Sequence, residues 1–278
     1  MDRIGVIGLG RMGKPIAERL LAAGFEVTGT DLQLEPLEEL KAKGLRTAPC
    51  GRAVARHSDI IAISVGFDEE VKDVVLGSDG ILRGAEPGSV ILILSTTSPG
   101  TVIDLAEEAR KHGVHLLDAP MCRGEKAAAD GTILYLVGGD RKVFERCRPF
   151  FAATGKDYYL VGRAGAGEVA KCINNLLLWA AKVSNFEGLS LASLYGLDIP
   201  VLRQALIQSS GNNWSLENLQ NFSTMPWAEK DMKIVLSMAK EKGISLPLCD
   251  LVKQLVEDPR VRDLNSMGKL PGGIKAVE

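Results

Sequence analysis

Near its start the chain carries Gly8-Leu9-Gly10-Arg11-Met12-Gly13, a G-x-G-x-x-G spacing between the apolar run Ile4–Ile7 and a stretch of helical periodicity. With a strand before it and a helix after it, this spacing can cradle a pyrophosphate. Gly8 permits a tight turn, Gly10 lets the backbone approach the phosphates, and Gly13 lets helix and strand pack closely. Leu9, Arg11 and Met12 complete the turn, and the helix behind it aims N–H groups and a partial positive charge at the anion. Asp31 follows the second apolar run, where a carboxylate accepts ribose hydroxyls and repels a 2′-phosphate. Its neighbours Leu32, Gln33 and Leu34 include no arginine, so the expected cofactor is NAD rather than NADP.

Hydride exchange with a carbinol is the cofactor's chemistry, but the oxygen's proton is left to the protein. Lys171 lies about one turn into a long helical stretch that starts beside the cofactor domain. As an ammonium it can donate to a forming alkoxide, and as an amine it can accept a hydroxyl proton; burial would lower its pKa towards the working range. Asn175, at i+4, shares its helix face and can bind the substrate hydroxyl or carboxylate. Asn174 points elsewhere and is the weaker candidate, with helix packing the plain alternative for both.

The elements that must position these residues alternate in the first half. Ile4–Ile7, Glu26–Gly29, Ile60–Ser64, Val90–Leu94 and His115–Leu117 read as buried strands, and Lys14–Ala23, Leu34–Lys43 and Thr101–Lys111 as helices. Such alternation predicts a mostly parallel sheet covered on both faces, which Ile133–Val137 and Tyr158–Leu160 would extend. From Glu168 to Leu194 apolar residues recur at helical spacing with little turn signal, interrupted only by Gly188. Near-uniform apolarity suggests that this helix is buried between domains or subunits. The expected organisation is a dinucleotide-binding α/β domain over 1–163, a long connecting helix over 164–194 and an all-helical domain over 195–278.

Three further segments carry a resemblance. Asp118-Ala-Pro-Met-Cys122-Arg123-Gly124, followed by Ala127 to Gly131-Thr132, resembles D-A-P-V-S-G-G…A-x-x-G-T-L; Gly165-Ala-Gly-Glu-Val-Ala-Lys171-Cys-Ile-Asn174-Asn175 resembles G-x-G-x-x-x-K-x-x-N-N; and Lys230-Asp231-Met232 resembles K-D-L. With the N-terminal turn these motifs, in this order, resemble the β-hydroxyacid dehydrogenase family. The resemblance implies an N-terminal Rossmann domain, a long interdomain helix and an all-α C-terminal domain, often in dimers or tetramers. It also implies reversible oxidation of a small anionic β-hydroxy acid to its semialdehyde with Lys171 as the acid/base. Cofactor contacts carry over to Val65-Gly66, where the family usually has Leu-Pro, to Thr96 and to Lys230. Substrate contacts carry over to Cys122, Arg123, Gly124, Asn174 and, in the segment that closes over the substrate, Trp214.

The loop departs from the family at Cys122-Arg123. A thiol donates poorly compared with a hydroxyl, whereas a guanidinium can grip an oxyanion bidentately. A dianionic or sulfonated aldehyde is therefore the alternative substrate class, and a catalytically silent NAD-binding module the alternative kind of protein. Phe222 and Trp227 read as core, and His57, His112 and His115 form no triad or metal constellation.

Net charge is -2 with no basic stripe, so nucleic acid is not an expected partner. No apolar run approaches the ~20 residues that span a bilayer. The 5 cysteines are odd in number and widely spaced, which points to no disulfide framework, no metal site and a cytoplasmic setting.

Overall fold

The computed structural model describes residues 2–219 and 227–257; Phe222 lies outside them. Two compact units divide the chain, Met1–Lys171 and Cys172–Glu278.

In the first unit the elements run β1 (Ile4–Ile7), α1 (Gly13–Ala22), β2 (Val27–Thr30), α2 (Leu34–Lys41), β3 (Arg46–Thr47), α3 (Gly51–Ala55), β4 (Ile60–Ile63) and α4 (Asp68–Leu76). After them come β5 (Val90–Ile93), α5 (Pro99–Lys111), β6 (His115–Asp118), β7 (Met121–Cys122), α6 (Gly124–Asp130), β8 (Ile133–Gly138), α7 (Arg141–Thr154) and β9 (Gly155–Gly162). Among the described residues these strands form one sheet in the order β3-β2-β1-β4-β5-β6-β8-β7, with β9 added beside β8. Pairing is parallel from β3 to β6 and between β8 and β9; only β8 runs antiparallel, to β6 and to β7.

β1, β4 and β5 are buried at every position. Their alternate side chains feed two cores: Ile60, Ala62, Val90 and Leu92 pack with Ile16 and Leu20 of α1, while Ile61, Ile63, Ile91 and Ile93 pack with Val71 of α4 and Val102 of α5. A sheet covered on both faces requires apolar residues in consecutive positions, which is why these runs lack a polar alternation. β1 lies between β2 and β4, and the strand order reverses there. The carboxyl ends of β1 and β4 therefore open the crevice in which doubly wound sheets bind ligands.

α3, α4, α6 and α7 have no counterpart among the helices read from sequence. α7 carries Pro149 in its interior, normally a stop signal. Burial of Phe144, Phe150 and Phe151 against Tyr135 overrides that local cost. The strand read at Tyr158–Leu160 is longer, and β2 lies one residue later than expected.

α8 (Ala166–Leu194) is a single 29-residue helix that passes through Gly188. The units divide within it, after Lys171, whereas the turn signals suggested a boundary at residue 163. The reason is local: backbone N–H groups of Gly165 and Glu168 both donate to the Asp118 carboxylate at 2.9 Å, so the start of α8 stays with the sheet. Gly167 has no room for a Cβ, which would meet the Leu136 carbonyl and Asp118.

In the second unit α9 (Ile199–Ile207), α10 (Trp214–Glu217), α11 (Ala228–Glu241) and α12 (Pro247–Glu257) follow α8, all helical among the described residues. Cys172, Trp179, Val183 and Phe186 of α8 pack with Met232 and Val235 of α11 and with Cys249, Val252 and Val256 of α12. Val169, Ile173 and Leu177, four residues apart, remain exposed in the single chain, Leu177 at 66%. No helix of the described residues is long and apolar enough to cross a membrane.

Candidate active site

The G-x-G-x-x-G turn leaves β1 and enters α1 as its spacing predicts. Gly8 has φ +87°, and a Cβ there would run into the Ser64 carbonyl; one on Gly13 would run into the Gly8 carbonyl. Both glycines are demanded by the protein's own packing. A Cβ on Gly10 would meet no protein atom within 4 Å, so the fold itself does not require that glycine. It fits a backbone left bare for a pyrophosphate. Asp31 closes the turn: its carboxylate accepts from the Leu9 N–H and, at 2.7 Å, from the Gln33 N–H. Leu9 is buried, whereas Arg11 is exposed and reaches Glu125 at 3.3 Å; Met12 is half-buried.

Two more strand ends border the crevice. Ser95 Oγ donates to the Val65 carbonyl at 2.8 Å and accepts the Val65 N–H at 2.9 Å, locking the ends of β4 and β5 together. The Gly66 N–H donates to Glu70 at 2.7 Å, and Thr96 is half-buried beside Ser95. These residues fit a dinucleotide laid across the carboxyl edge of the sheet.

The two glycine roles separate experimentally. Gly8→Ala is expected to lower stability by about 1–3 kcal/mol, the cost of an unsuitable left-handed residue. Gly10→Ala should leave the melting temperature unchanged and weaken NADH binding about tenfold, ~1.4 kcal/mol, in a fluorescence titration.

Lys171 meets the loop that the sequence singled out. Its Nζ donates to the Met121 carbonyl at 2.6 Å. Met121 and Cys122 form β7 and pair with Tyr135 and Leu134 of β8, so the carbonyl is fixed by the sheet. Cys122 is buried, and burial pushes its thiol up while the Lys171 and Arg123 charges pull the other way.

Arg123 already has partners within its own unit. Its Nη1 lies 2.6 Å from Asp157 Oδ2 and donates to the Thr132 carbonyl at 3.0 Å, so a carboxylate of the same unit already occupies that end of the guanidinium. Its backbone is left-handed, φ 80°, followed by Gly124 at φ 73°. A non-glycine residue there costs roughly 1–2 kcal/mol, and the ion pair with Asp157 offsets part of that. Asp157 was invisible in the sequence because it comes from β9, far along the chain.

Below Lys171 sit two buried carboxyls that the sequence reading also missed. Asp118 is fully buried, and burial pushes its carboxyl up while the N–H groups of Gly165 and Glu168 pull it down. Glu168, 0% exposed, is pushed well above the usual carboxylate range by burial and then by the Asp118 charge. Thr97 Oγ1 donates to its Oε1 at 3.3 Å, while its Oε2 is buried without a hydrogen-bond partner.

In the second unit Asn175 is buried and accepts from Asn174 Nδ2 at 3.0 Å. Lys230 opens α11 half-buried, its Nζ 5.9 Å from the Trp227 ring centre; Trp227 is itself exposed, contrary to a core role. Trp214, at the start of α10, is 36% exposed. Asp231, next to Lys230, is buried and accepts the Trp179 indole N–H at 2.8 Å.

Known proteins agree with this architecture. The family of the NAD-binding domain of 6-phosphogluconate dehydrogenase matches residues 3–162, and that of the NAD-binding region of NADP-dependent 3-hydroxyisobutyrate dehydrogenase matches residues 165–265. The 2-(hydroxymethyl)glutarate dehydrogenase of Eubacterium barkeri is 34% identical over 272 residues, 94% of this chain and 90% of its own. The NAD-dependent L-serine dehydrogenase of Pseudomonas aeruginosa is 36% identical over 217 residues, 78% of this chain and 73% of its own. The structure of Mycobacterium tuberculosis 3-hydroxyisobutyrate dehydrogenase with L-serine superposes with a TM-score of 0.85 at 25% identity, covering 97% of this chain and 98% of that one. Matched in both halves and by named dehydrogenases along nearly its whole length, the chain belongs to the β-hydroxyacid dehydrogenase family of oxidoreductases, which act on CH–OH donors with a nicotinamide dinucleotide.

Proposed function

We propose that the chain is an NAD-dependent dehydrogenase interconverting a small β-hydroxy monoacid and its semialdehyde, with Lys171 as general acid/base. The observation that carries this reading is the Lys171 amine held at 2.6 Å on the Met121 carbonyl, at the head of the substrate loop. A nicotinamide dinucleotide, held by Gly8–Gly13, Val65-Gly66 and Thr96, supplies or receives the hydride. Lys171 moves the proton at the substrate oxygen, with the Met121 carbonyl aiming the amine. Asn175, four residues on in α8, holds the substrate, with Asn174 fixing its side chain. The Cys122–Gly124 loop receives the carboxylate through its backbone.

NAD is favoured over NADP because the Asp31 carboxylate, just after β2, would repel a 2′-phosphate. Exposed Ile173 and Leu177 support a homodimer or homotetramer. Five thiols, none of them paired, support a reducing cytoplasm.

Arg123 decides between a monoanionic and a dianionic substrate. Its ion pair with Asp157 favours the first, with Arg123 holding the loop rather than the substrate. The test is a panel of the monoanionic succinic, malonic, methylmalonic and tartronic semialdehydes, glyoxylate and sulfolactaldehyde, together with the dianionic 2-formylglutarate, with NADH or NADPH, run on wild type, Arg123→Gly and Asp157→Asn. With Arg123 as a loop latch, both variants raise KM alike, about tenfold or ~1.4 kcal/mol. A substrate-gripping arginine would instead be freed by Asp157→Asn, so only Arg123→Gly would weaken binding. Faster turnover with NADPH would overturn the cofactor assignment.

A further inference from the structure

Two buried side-chain polar atoms lack a partner among the described residues, Ser215 Oγ and Glu168 Oε2. A buried polar atom left unpaired costs about 1–3 kcal/mol and calls for an explanation. Glu168 is the more consequential, because it precedes Lys171 by three residues on α8 and so lies beside it on the helix surface.

The groups that face Glu168 come from every element packed around it. Asp118 ends β6, Cys122 ends β7, Lys171 lies on α8 itself, and Thr97 offers a hydroxyl ahead of α5. Asp118 holds two backbone N–H donors and is the better place for a negative charge. Glu168, with one oxygen unpartnered, is the better place for the proton. Lys171 is the cationic side chain whose charge acts on Glu168.

We propose that Glu168 is a positioning residue for Lys171: a buried carboxyl that, on losing its proton, presents a negative charge to the amine and holds it as an ammonium. It touches neither substrate nor cofactor. Of the two carboxyls, Glu168 is the one that burial and the neighbouring Asp118 charge push well up. When Glu168 releases its proton to solvent as the pH rises, Lys171 gains a counter-charge and keeps its own proton to higher pH. This role rests on the reading of Lys171 as the acid/base, but its test does not need turnover.

The Lys171 amine is titrated directly, by NMR of the 13C-dimethylated full chain, in wild type and Glu168→Gln, the signal being assigned with Lys171→Arg. The expected midpoint is lower in Glu168→Gln by half a pH unit or more, about threefold in proton affinity, ~0.7 kcal/mol. The pH profile of oxidation should shift by the same amount with KM unchanged. Coincident titrations in folded protein overturn the proposal. Should Glu168→Gln not fold, infrared spectra of wild type with 13C-labelled glutamate decide: a protonated carboxyl stretch at neutral pH that disappears on alkaline titration supports it. Absence of that band, or its persistence at all pH values, overturns it. A shifted amine in a protein that turns over no hydroxy acid would uphold the coupling and remove the dehydrogenase reading instead.

Discussion

Lys171→Ala is expected to lower kcat by about 10²–10⁴-fold, the usual worth of a positioned proton donor or acceptor. In the proposed site the dinucleotide is held by backbone groups of the Gly8–Gly13 turn and by Asp31, all remote from the lysine in sequence, so NADH affinity should hold within about twofold, ~0.4 kcal/mol. Steady-state kinetics with the preferred semialdehyde, alongside an NADH fluorescence titration, checks both halves of this statement. A loss of NADH binding equal to the loss of kcat would mean that the lysine supports the fold rather than the proton transfer. Stability should change little, since the side chain is half-buried and the bond it forfeits is to one carbonyl.

Lys182→Met is expected to change stability by an amount that depends on pH, most favourably in acid. Lys182 is 0% exposed, with its Nζ 5.5 Å from the Trp179 ring centre, and burial lowers its pKa to about 7. In the unfolded chain the amine titrates near its ordinary value of about 10.4. Between those two values the unfolded state binds more protons, so wild-type stability rises with pH across that window. Below about pH 7 the amine is charged in both states and the burial penalty is felt in full. Methionine removes the penalty and keeps the apolar stem's packing. The contacts that the amine makes, the Trp179 ring among them, are lost with it, so the effect of Lys182→Met should be most favourable near pH 6 and should lose that advantage by about pH 10. Thermal melts at the two pH values test this; an equal change at both would show that packing, not charge, is responsible.

Much of the architecture was legible because its signals are local. The strands of the parallel core are short runs rich in β-branched residues, α8 is a long apolar periodicity, and the Gly8–Gly13 turn is a fixed spacing. Short elements were not legible: β3 and β7 are two residues each, and a strand of that length exists only because a neighbour pairs with it. α7 was hidden by Pro149, whose local veto is outweighed by aromatic packing that only the fold assembles. The same limit applied to the site. The Lys171 motif and its loop were visible as separate patterns, but no spacing says that the amine rests on Met121. Asp157 and Arg123 are brought together by strand pairing, and Asp118 and Glu168 by the packing of a helix start on a strand end. A buried acid such as Glu168 also reads, in a sequence, like any charge on a helix face.

The central place of β1 has a kinetic consequence. Ile4 lies beside both Val27 and Ile60, so the first strand made cannot complete its pairing until the fourth has left the ribosome. Pairings of such sequence separation close late and slow folding, because chain entropy is lost before contacts reward it. The carbonyl of Ser64 that walls the Gly8 turn arrives with β4, and until then the turn has nothing to close against. The amino terminus therefore waits, during synthesis, for residues translated well after it, and a nascent chain halted before β4 cannot possess the crevice for which its opening residues are shaped.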